Sequence, residues 1–202
     1  GVYSIAPALV EPRVDWVSQS HPSIRQAAWG TWDRRAGKRF VAILRDSEIC
    51  VECIGREKAE PPALQGVEFG CLGVRDVNAD GMDDLVAVDS GAATLDVCLA
   101  RRKDGGLSFA EPTETAFSRL VKPVSLCFLD ANGDGKLDVL FGEENGGVFI
   151  FCGYGEGSFA APEMLHAGPG LQCIETCDLD GNAIEETVFA ATSVPGIIAL
   201  SR

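Results

Sequence analysis

Clustered positive charge and long apolar runs are both scarce in this sequence. No run of about 18 apolar residues occurs, so we expect no transmembrane helix. The chain has 17 Lys and Arg against 30 Asp and Glu, which gives a formal net charge of −13. Because binding to phosphates requires clustered cationic side chains, this balance excludes nucleic acid as an expected partner.

Residues suited to catalysis are also few. The sequence has two histidines, His21 and His166, and both fall at expected strand ends or in connecting turns. It contains no Gly-x-Ser-x-Gly and no His-Glu-x-x-His motif. The carboxylates group into loops with another use, described below, so we expect a protein that is not an enzyme.

Glycine, proline and apolar residues are plentiful. The 202 residues are 46% hydrophobic, which is enough to fill the core of one large domain or two small ones. The 23 glycines and 10 prolines indicate many turns. We therefore expect a globular chain built from short elements.

One short stretch, DANGDGKLDVLFG at residues 130 to 142, has the pattern of a cation-binding loop. Its first, third, fifth and ninth positions carry Asp130, Asn132, Asp134 and Asp138. Oxygen ligands at alternating positions can converge on one hard cation, while a glycine at the sixth position permits a sharp turn. Phe141 at the twelfth position excludes an EF-hand, which needs Glu there, and residues 138 to 141 are typical of a buried strand.

The same pattern recurs on both sides of that stretch. Upstream, DVNADGMDD carries Asp76, Asn78, Asp80 and Asp84 at the same positions. Downstream, DLDGNAIEE carries Asp178, Asp180, Asn182 and Glu186, with Ala183 in place of the glycine. The loop starts are 54 and 48 residues apart, a period long enough for four short strands and their turns, which is one blade of a β-propeller.

A second motif repeats in phase with the loops. GGLSFAEPTE (residues 105 to 114) and GEGSFAAPEM (residues 155 to 164) share Gly, Ser-Phe-Ala and Pro, and each follows one of the first two loops. Over residues 67 to 192 the loops and this motif together resemble the FG-GAP or VCBS-type repeats of integrin-like β-propellers. The resemblance implies an all-β β-propeller with about four repeats.

Each loop is a candidate calcium site. We expect two Ca²⁺ ions in the first two loops, and the less regular third loop is a candidate for one more. The expected ligands, with backbone carbonyls from Met82 and Lys136, are Asp76, Asn78, Asp80, Met82, Asp84, Asp130, Asn132, Asp134, Lys136, Asp138, Asp178, Asp180, Asn182 and Glu186. The alternative is an Asx-rich turn held by hydrogen bonds from backbone to side chain, which needs no metal.

The first part of the chain is predicted to form a related repeat without a metal site. Residues 21 to 33 align with residues 168 to 180, and an apolar strand at residues 40 to 44 follows. Thr31 stands at the first loop position, and the turn is crowded with basic side chains, namely Arg34, Arg35, Lys38 and Arg39. Cationic side chains cannot ligate calcium, although one can serve as an internal counter-ion.

These repeats predict a single module spanning residues 1 to 202. The blades are expected at about 21–66, 67–117, 118–166 and 167–202, and residues 1–10 are expected to form a spare outer strand. The last blade lacks such a strand. The chain therefore either closes into a small ring by pairing these ends, or forms a partial propeller completed by other protein.

The cysteines and tryptophans each allow two interpretations. Cys98 and Cys152 occupy equivalent positions of different repeats, too far apart for a disulfide, so buried thiols are favoured over a bridged set. Cys50 and Cys53 form a C-x-x-C without a second pair nearby, which is weak support for zinc or redox chemistry. The tryptophans are candidates for a recognition surface or for core packing, namely Trp16, Trp29 and Trp32.

Fold resemblance alone leaves several function classes open. The first expectation is a non-catalytic, calcium-stabilised interaction or scaffold subunit that binds protein partners in a larger assembly. The alternatives are a carbohydrate-binding lectin or adhesion module, and the accessory propeller portion of a polysaccharide lyase or lipase. We expect an extracellular or secretory-lumen location, and no targeting signal is visible in the sequence.

Overall fold

The chain is all β wherever its structure is described. A computed structural model describes residues 24–45, 48–55, 57–64, 66, 68–119, 121–166, 169–178, 186–191 and 197–200. Its strands form four antiparallel sheets in chain order and one separate hairpin, and these ranges contain no helix. The all-β class expected from the sequence is confirmed. Within the same ranges, no helix is long and apolar enough to span a membrane.

The strands fall into sheets as follows. The first sheet pairs β1 (Ile24–Asp33), β2 (Lys38–Arg45) and β3 (Glu48–Ile54) in that order. The second pairs β4 (Phe69–Arg75), β5 (Asp84–Asp89), β6 (Thr94–Cys98) and β9 (Thr113–Ala116), and the separate hairpin consists of β7 (Ala100–Lys103) and β8 (Gly106–Phe109). The third pairs β10 (Pro123–Leu129), β11 (Asp138–Glu143), β12 (Gly147–Phe151) and β13 (Glu163–His166). The fourth pairs β14 (Leu171–Cys177), β15 (Glu186–Ala191) and β16 (Ile197–Leu200).

The two complete loops seen in the sequence join the first two strands of the second and third sheets. The loop at residues 76–83 connects β4 to β5, and the loop at residues 130–137 connects β10 to β11. The apolar segments predicted to be strands after these loops are indeed β5 and β11. The strand predicted at residues 40 to 44 lies within β2. The loops are therefore held between paired strands.

The sheets pack face to face through strands that are apolar on both faces. On β5, Val86 and Val88 pack in the cluster shared with the third sheet, while Leu85 and Ala87 pack in the cluster shared with the first sheet. This alternation follows from the two-residue period of a strand. The third and fourth sheets enclose a further cluster that includes Leu140 and Ile174. Successive sheets thus share continuous apolar layers.

Phenylalanines fill the layer between the second and third sheets. Phe141 and Phe149 are cross-strand partners on β11 and β12, and their rings stack with centroids 4.7 Å apart. Phe117, which follows β9, places its ring 5.4 Å from that of Phe141. Aromatic pairs of this kind add about 0.5–1.5 kcal/mol beyond the area that they bury.

The first strand of each sheet contacts the first strand of the next, so that β1 contacts β4, β4 contacts β10 and β10 contacts β14. Between β1 and β4, Gln26 Nε2 donates to the carbonyl of Leu72 at 2.7 Å, and the Leu72 N–H donates to Gln26 Oε1 at 2.9 Å. A Cβ added at Gly73 on β4 would lie 2.5 Å from Leu126 Cδ2 on β10. The sequence therefore uses a side-chain amide and a glycine to bring these strands close together.

The eight cysteines all lie in described ranges and are thiols. Cys71, Cys98 and Cys127 are buried, whereas Cys152 is half-buried and Cys177 is exposed, so the interpretation of buried thiols is confirmed for part of the set. Burial raises the pKa of the Cys71 thiol and of the Cys98 thiol to about 12. Cys50 and Cys53 lie on the same strand, β3, and are half-buried.

Some sequence predictions fall outside the described residues. These include the outer strand at residues 1–10, Trp16 and His21. The division into repeats, and the pairing of the chain ends, therefore stay predictions.

Candidate metal centre

The first loop draws its side-chain oxygens together around backbone N–H groups. Asp76 Oδ1 accepts a hydrogen bond from the Asp80 N–H at 3.1 Å, and Asn78 Oδ1 accepts from the same N–H at 3.1 Å. Asp76 Oδ2 accepts from the Gly81 N–H at 2.9 Å. Because one N–H lies within bonding distance of two side-chain oxygens, those oxygens converge.

The fifth loop position extends this network. Asp80 Oδ1 accepts from the Met82 N–H at 2.8 Å, and Asn78 Nδ2 donates to Asp80 Oδ2 at 3.1 Å. Three side chains from alternating positions are thus linked within one turn of the chain. The carbonyl role predicted for Met82 stays a prediction.

The ninth position is different because its carboxylate is buried. Asp84 is fully buried and accepts hydrogen bonds from the Val77 N–H at 3.0 Å and from the Ala100 N–H at 2.8 Å. Burial raises the pKa of Asp84 to about 7. This side chain joins the start of the loop to the start of β7, so it has a structural role with or without a metal.

The second loop repeats the arrangement. Asp134 N–H lies 3.1 Å from Asp130 Oδ1 and 2.8 Å from Asn132 Oδ1, and the Lys136 N–H donates to Asp134 Oδ1 at 2.9 Å. The buried Asp138 accepts from the Ala131 N–H and from the Gly153 N–H, both at 2.8 Å. Two loops 54 residues apart therefore fold to the same hydrogen-bonding pattern.

The backbone of both loops turns through the left-handed region at the same positions. The sixth residues, Gly81 and Gly135, have φ of 90° and 82°. The fourth residues, Ala79 and Gly133, have φ of 59° and 81°. Glycine adopts this region without the clash that a Cβ introduces, so Ala79 is the strained member of the set.

The donor chemistry of the loops suits a hard cation. Each loop offers two aspartates and an asparagine amide oxygen at alternating positions, and oxygen ligands of this kind are the ones that Ca²⁺ prefers. Within the described ranges, no group of three or more His, Cys, Asp or Glu side chains is arranged to hold a metal ion. The ninth-position carboxylates point to backbone N–H groups, and each of their oxygens retains a further lone pair.

The third loop lies largely outside the described ranges. Asp180 and Asn182 are among the undescribed residues, and Asp178 ends the segment before them. The backbone of Glu186 begins β15, where it pairs with Cys177. The candidate third site stays a prediction.

In the first sheet, a four-residue turn at 34–37 stands where the second and third sheets carry their loops. Arg34 from this turn reaches the first loop, and its Nη2 lies 3.2 Å from Asp76 Oδ2 and 3.4 Å from Asp83 Oδ1. The Thr31 N–H donates to Asp83 Oδ2 at 2.6 Å, and the Asp83 N–H donates to the Thr31 carbonyl at 2.9 Å. The contact of Asp83 with the first sheet was not predicted from the sequence. The second loop has Leu137 at the equivalent position, so the acidic residue at 83 was a sign that the first loop has an additional contact.

A groove of about 620 Å³ opens between the two loops, with Arg34, Arg75, Lys136 and Tyr154 among its lining residues. Tyr154 is 55% exposed. Of the tryptophans, Trp32 is buried and Trp29 is 64% exposed with the Arg39 guanidinium 5.3 Å from its ring centroid. One tryptophan therefore packs in the core and another faces solvent.

Comparison with known proteins gives one family. The model of the FG-GAP-like repeat matches residues 76–141 and again residues 130–188, so the two matches begin at the first residues of the two loops. No curated protein matches the chain.

Proposed function

This chain belongs to the FG-GAP-like repeat family, and on that premise we propose that it is a non-catalytic, calcium-stabilised β-propeller module that acts as an interaction or scaffold subunit. The family membership supports a repeat module used for interactions. The observation that carries the calcium part is the shared hydrogen-bonding pattern of two loops, each of which gathers side-chain oxygens from alternating positions.

The packing of the sheets supports a propeller. The four sheets follow one another in chain order, share apolar layers face to face, and place their first strands side by side. This is the arrangement expected when the first strands line a central axis. On this proposal residues 1–202 form one module, as the sequence predicts.

Calcium would be held by the oxygens of the two described loops. In the first loop the ligands would be Asp76, Asn78, Asp80, Asp84 and the Met82 carbonyl, and in the second Asp130, Asn132, Asp134, Asp138 and the Lys136 carbonyl. When bound, Ca²⁺ neutralises the clustered carboxylates. Its binding free energy then adds to the stability of the folded chain, because the unfolded chain has no such site.

Calcium titration tests this proposal directly. We propose an extracellular or lumenal location, and we therefore expect two binding events by calorimetry with Kd of about 10⁻⁴ to 10⁻³ M, the range typical of extracellular modules. Chelation should lower the melting temperature without unfolding the chain. A titration with no heat, together with a melting temperature that calcium does not move, would contradict the proposal.

The outer face of the first sheet supports the interaction role. Trp29 is 64% exposed and Ile54 is 59% exposed, and the register places both on the same face, with Arg39 opposite Ile54. Large apolar side chains that are exposed on one face of a sheet are a feature of contact surfaces. We propose that a protein subunit covers this face. Light scattering at low concentration tests whether that subunit is a second copy of this chain: association that Trp29→Ser abolishes supports a second copy, and a monodisperse monomer requires a partner of another sequence.

A lectin is the second candidate, favoured by the two exposed aromatic rings of Trp29 and Tyr154. Aromatic rings of this kind stack on sugars. A glycan array probed with the intact chain separates the two candidates. A glycan signal that Trp29→Ser or Tyr154→Ser removes would favour the lectin.

A further inference from the structure

An arginine from the repeat without a metal loop reaches into the loop of its neighbour. Arg34 Nη2 lies 3.2 Å from Asp76 Oδ2, which belongs to the first residue of the loop. That oxygen also accepts the Gly81 N–H at 2.9 Å. A carboxylate oxygen has two lone pairs, so the N–H and the guanidinium occupy both. A cation could use this oxygen only if Arg34 moved away.

The position of Arg34 is fixed by contacts between the two sheets. Thr31 and Asp83 exchange backbone and side-chain hydrogen bonds at 2.6 and 2.9 Å, which anchors the end of β1 against the loop. The turn at 34–37 follows three residues later, and Asp33 Oδ1 accepts the Ala36 N–H at 3.0 Å within it. These contacts fix the backbone of the turn next to the loop, so the Arg34 side chain starts from a position close to Asp76.

The carboxylates of the first loop attract the Arg34 guanidinium. The first loop contains four aspartates, at positions 76, 80, 83 and 84, and Arg34 is the basic residue that contacts two of them. The side chain is 58% exposed, so it can also leave the loop for solvent. An exposed pair of this kind adds little to stability by itself, but it places a positive charge where a cation would bind.

We propose that Arg34 is a built-in counter-ion that competes with calcium for the loop at residues 76–84. It offsets the carboxylates when no metal is bound, and it lowers the calcium affinity of this loop when metal is present. The inference rests on the proposed calcium sites. On this proposal, the first repeat, which lacks a metal loop, lowers the calcium affinity of the loop in the second repeat through Arg34.

Calorimetry on the full chain tests the proposal in a background that leaves the first loop as the site, with Asp134→Ala and Asp180→Ala removing a ligand oxygen from each of the other two loops. In this background, Arg34→Gln should bind Ca²⁺ about 3- to 10-fold more tightly at low salt, since a unit positive charge is removed from a few ångströms away. The matched control is Arg35→Gln, which removes the same charge from the same turn, where Arg35 is exposed. Its effect should stay below about 2-fold because, among the described residues, Arg35 has no ion pair with the carboxylates of the loop, whereas Arg34 has two.

Two further measurements separate competition from a merely structural role. In chelator, Arg34→Gln should change the melting temperature little, because the exposed ion pair adds little to stability, whereas its calcium-dependent rise in melting temperature should exceed that of the unsubstituted chain. The affinity gain should also shrink as salt is raised from 0.05 to about 0.5 M, since salt screens exposed charges. Arg34→Lys keeps the charge and should bind calcium like the parent.

The experiment distinguishes failure of this inference from failure of the proposed function. If the unsubstituted chain binds no calcium, both the calcium proposal and this inference are overturned. If it binds calcium, but Arg34→Gln and Arg35→Gln have equal affinities in the Asp134→Ala, Asp180→Ala background, the role of Arg34 alone is overturned.

Discussion

Asp84 and Asp138 occupy the same position in successive repeats and make the same two hydrogen bonds. Each is fully buried, and each accepts one N–H from the second residue of its loop and one from the segment after the third strand of its sheet. Both therefore tie the loop to the sheet through the backbone. This function does not depend on a bound metal.

The first prediction follows from that geometry. Asp138→Ala should lower the free energy of unfolding by about 2–4 kcal/mol even in chelator, because it leaves the buried Gly153 N–H and the half-buried Ala131 N–H without an acceptor. Chemical denaturation in EDTA measures it. The matched control is Asp134→Asn, whose side chain is exposed and which should change stability in EDTA by less than about 1 kcal/mol. Equal losses in the two variants would contradict the structural role of Asp138.

The second prediction concerns strain in the first loop. Ala79 has φ of 59°, while the equivalent Gly133 has φ of 81°. Ala79→Gly should raise the free energy of unfolding by about 0.5–1 kcal/mol, since the relief of left-handed strain exceeds the entropy that glycine adds to the unfolded chain. Gly133→Ala should lower the free energy of unfolding by a similar amount. Thermal melts of both variants decide it, and a stabilising Gly133→Ala would contradict the argument.

The third prediction is a pH dependence centred on Asp96. This residue on β6 is 6% exposed, lies opposite Glu114 on β9, and has one buried oxygen without a hydrogen-bond partner among the described residues. Burial raises the pKa of Asp96 from 3.8 to about 6. The folded chain therefore holds this proton more tightly than the unfolded chain does. The resulting stability is complete below about pH 4 and is lost as the pH rises through about 6.

Asp96→Asn removes that titration while keeping a polar side chain of the same shape. The variant should be more stable than the parent at pH 7.5 by about 1–2 kcal/mol, after a discount for partial solvation, and the advantage should vanish near pH 4. Denaturant unfolding of both proteins across this range measures the difference. A constant difference at every pH would show that the carboxyl does not titrate in this way.

The fourth prediction concerns an ion pair next to the phenylalanine layer. Arg119 donates from Nη2 to Glu143 Oε1, and its guanidinium also lies 5.6 Å from the centroid of Phe149. Glu143 is only 1% exposed, so Arg119→Gln leaves a buried carboxylate uncompensated and should cost about 2–4 kcal/mol of unfolding free energy.

A second ion pair supplies the control for that prediction. Lys122 Nζ lies 3.5 Å from Glu144 Oε2, and both side chains are well exposed. Lys122→Gln should therefore change the unfolding free energy by less than about 0.5 kcal/mol. If the two substitutions have equal effects in denaturant unfolding, burial of Glu143 does not govern the cost.

Local features of the loops could be predicted from the sequence. The alternation of Asp and Asn, the glycine at the sixth position and the apolar run after the ninth each act over a few residues, so the turn and the strand that follows appear in the sequence pattern itself. The structure confirms β5 and β11 after these loops and positive φ at Gly81 and Gly135. The repeat of both motifs in phase likewise identified the family that the comparison confirms.

Contacts between sheets were not predictable in the same way. The basic turn was visible in the sequence, but the pairing of Arg34 with Asp76 requires residues 42 apart to meet, which depends on how the first sheet packs on the second. Asp83 has no special position in the loop pattern of the sequence. Its hydrogen bond with Thr31 shows that it links the first sheet to the first loop.

The all-β class, the repeated motifs and the oxygen-rich loops could be predicted from the amino-acid sequence alone, because hydrophobic period and turn chemistry act between near neighbours in the chain. The folded structure was needed to show that Asp84, Asp96 and Glu143 are buried and that Arg34 pairs with the first loop. Burial and charge pairing depend on the stacking of sheets from distant segments. The desolvation that raises the pKa of Asp96 and the competition proposed for Arg34 exist only once those sheets have packed together.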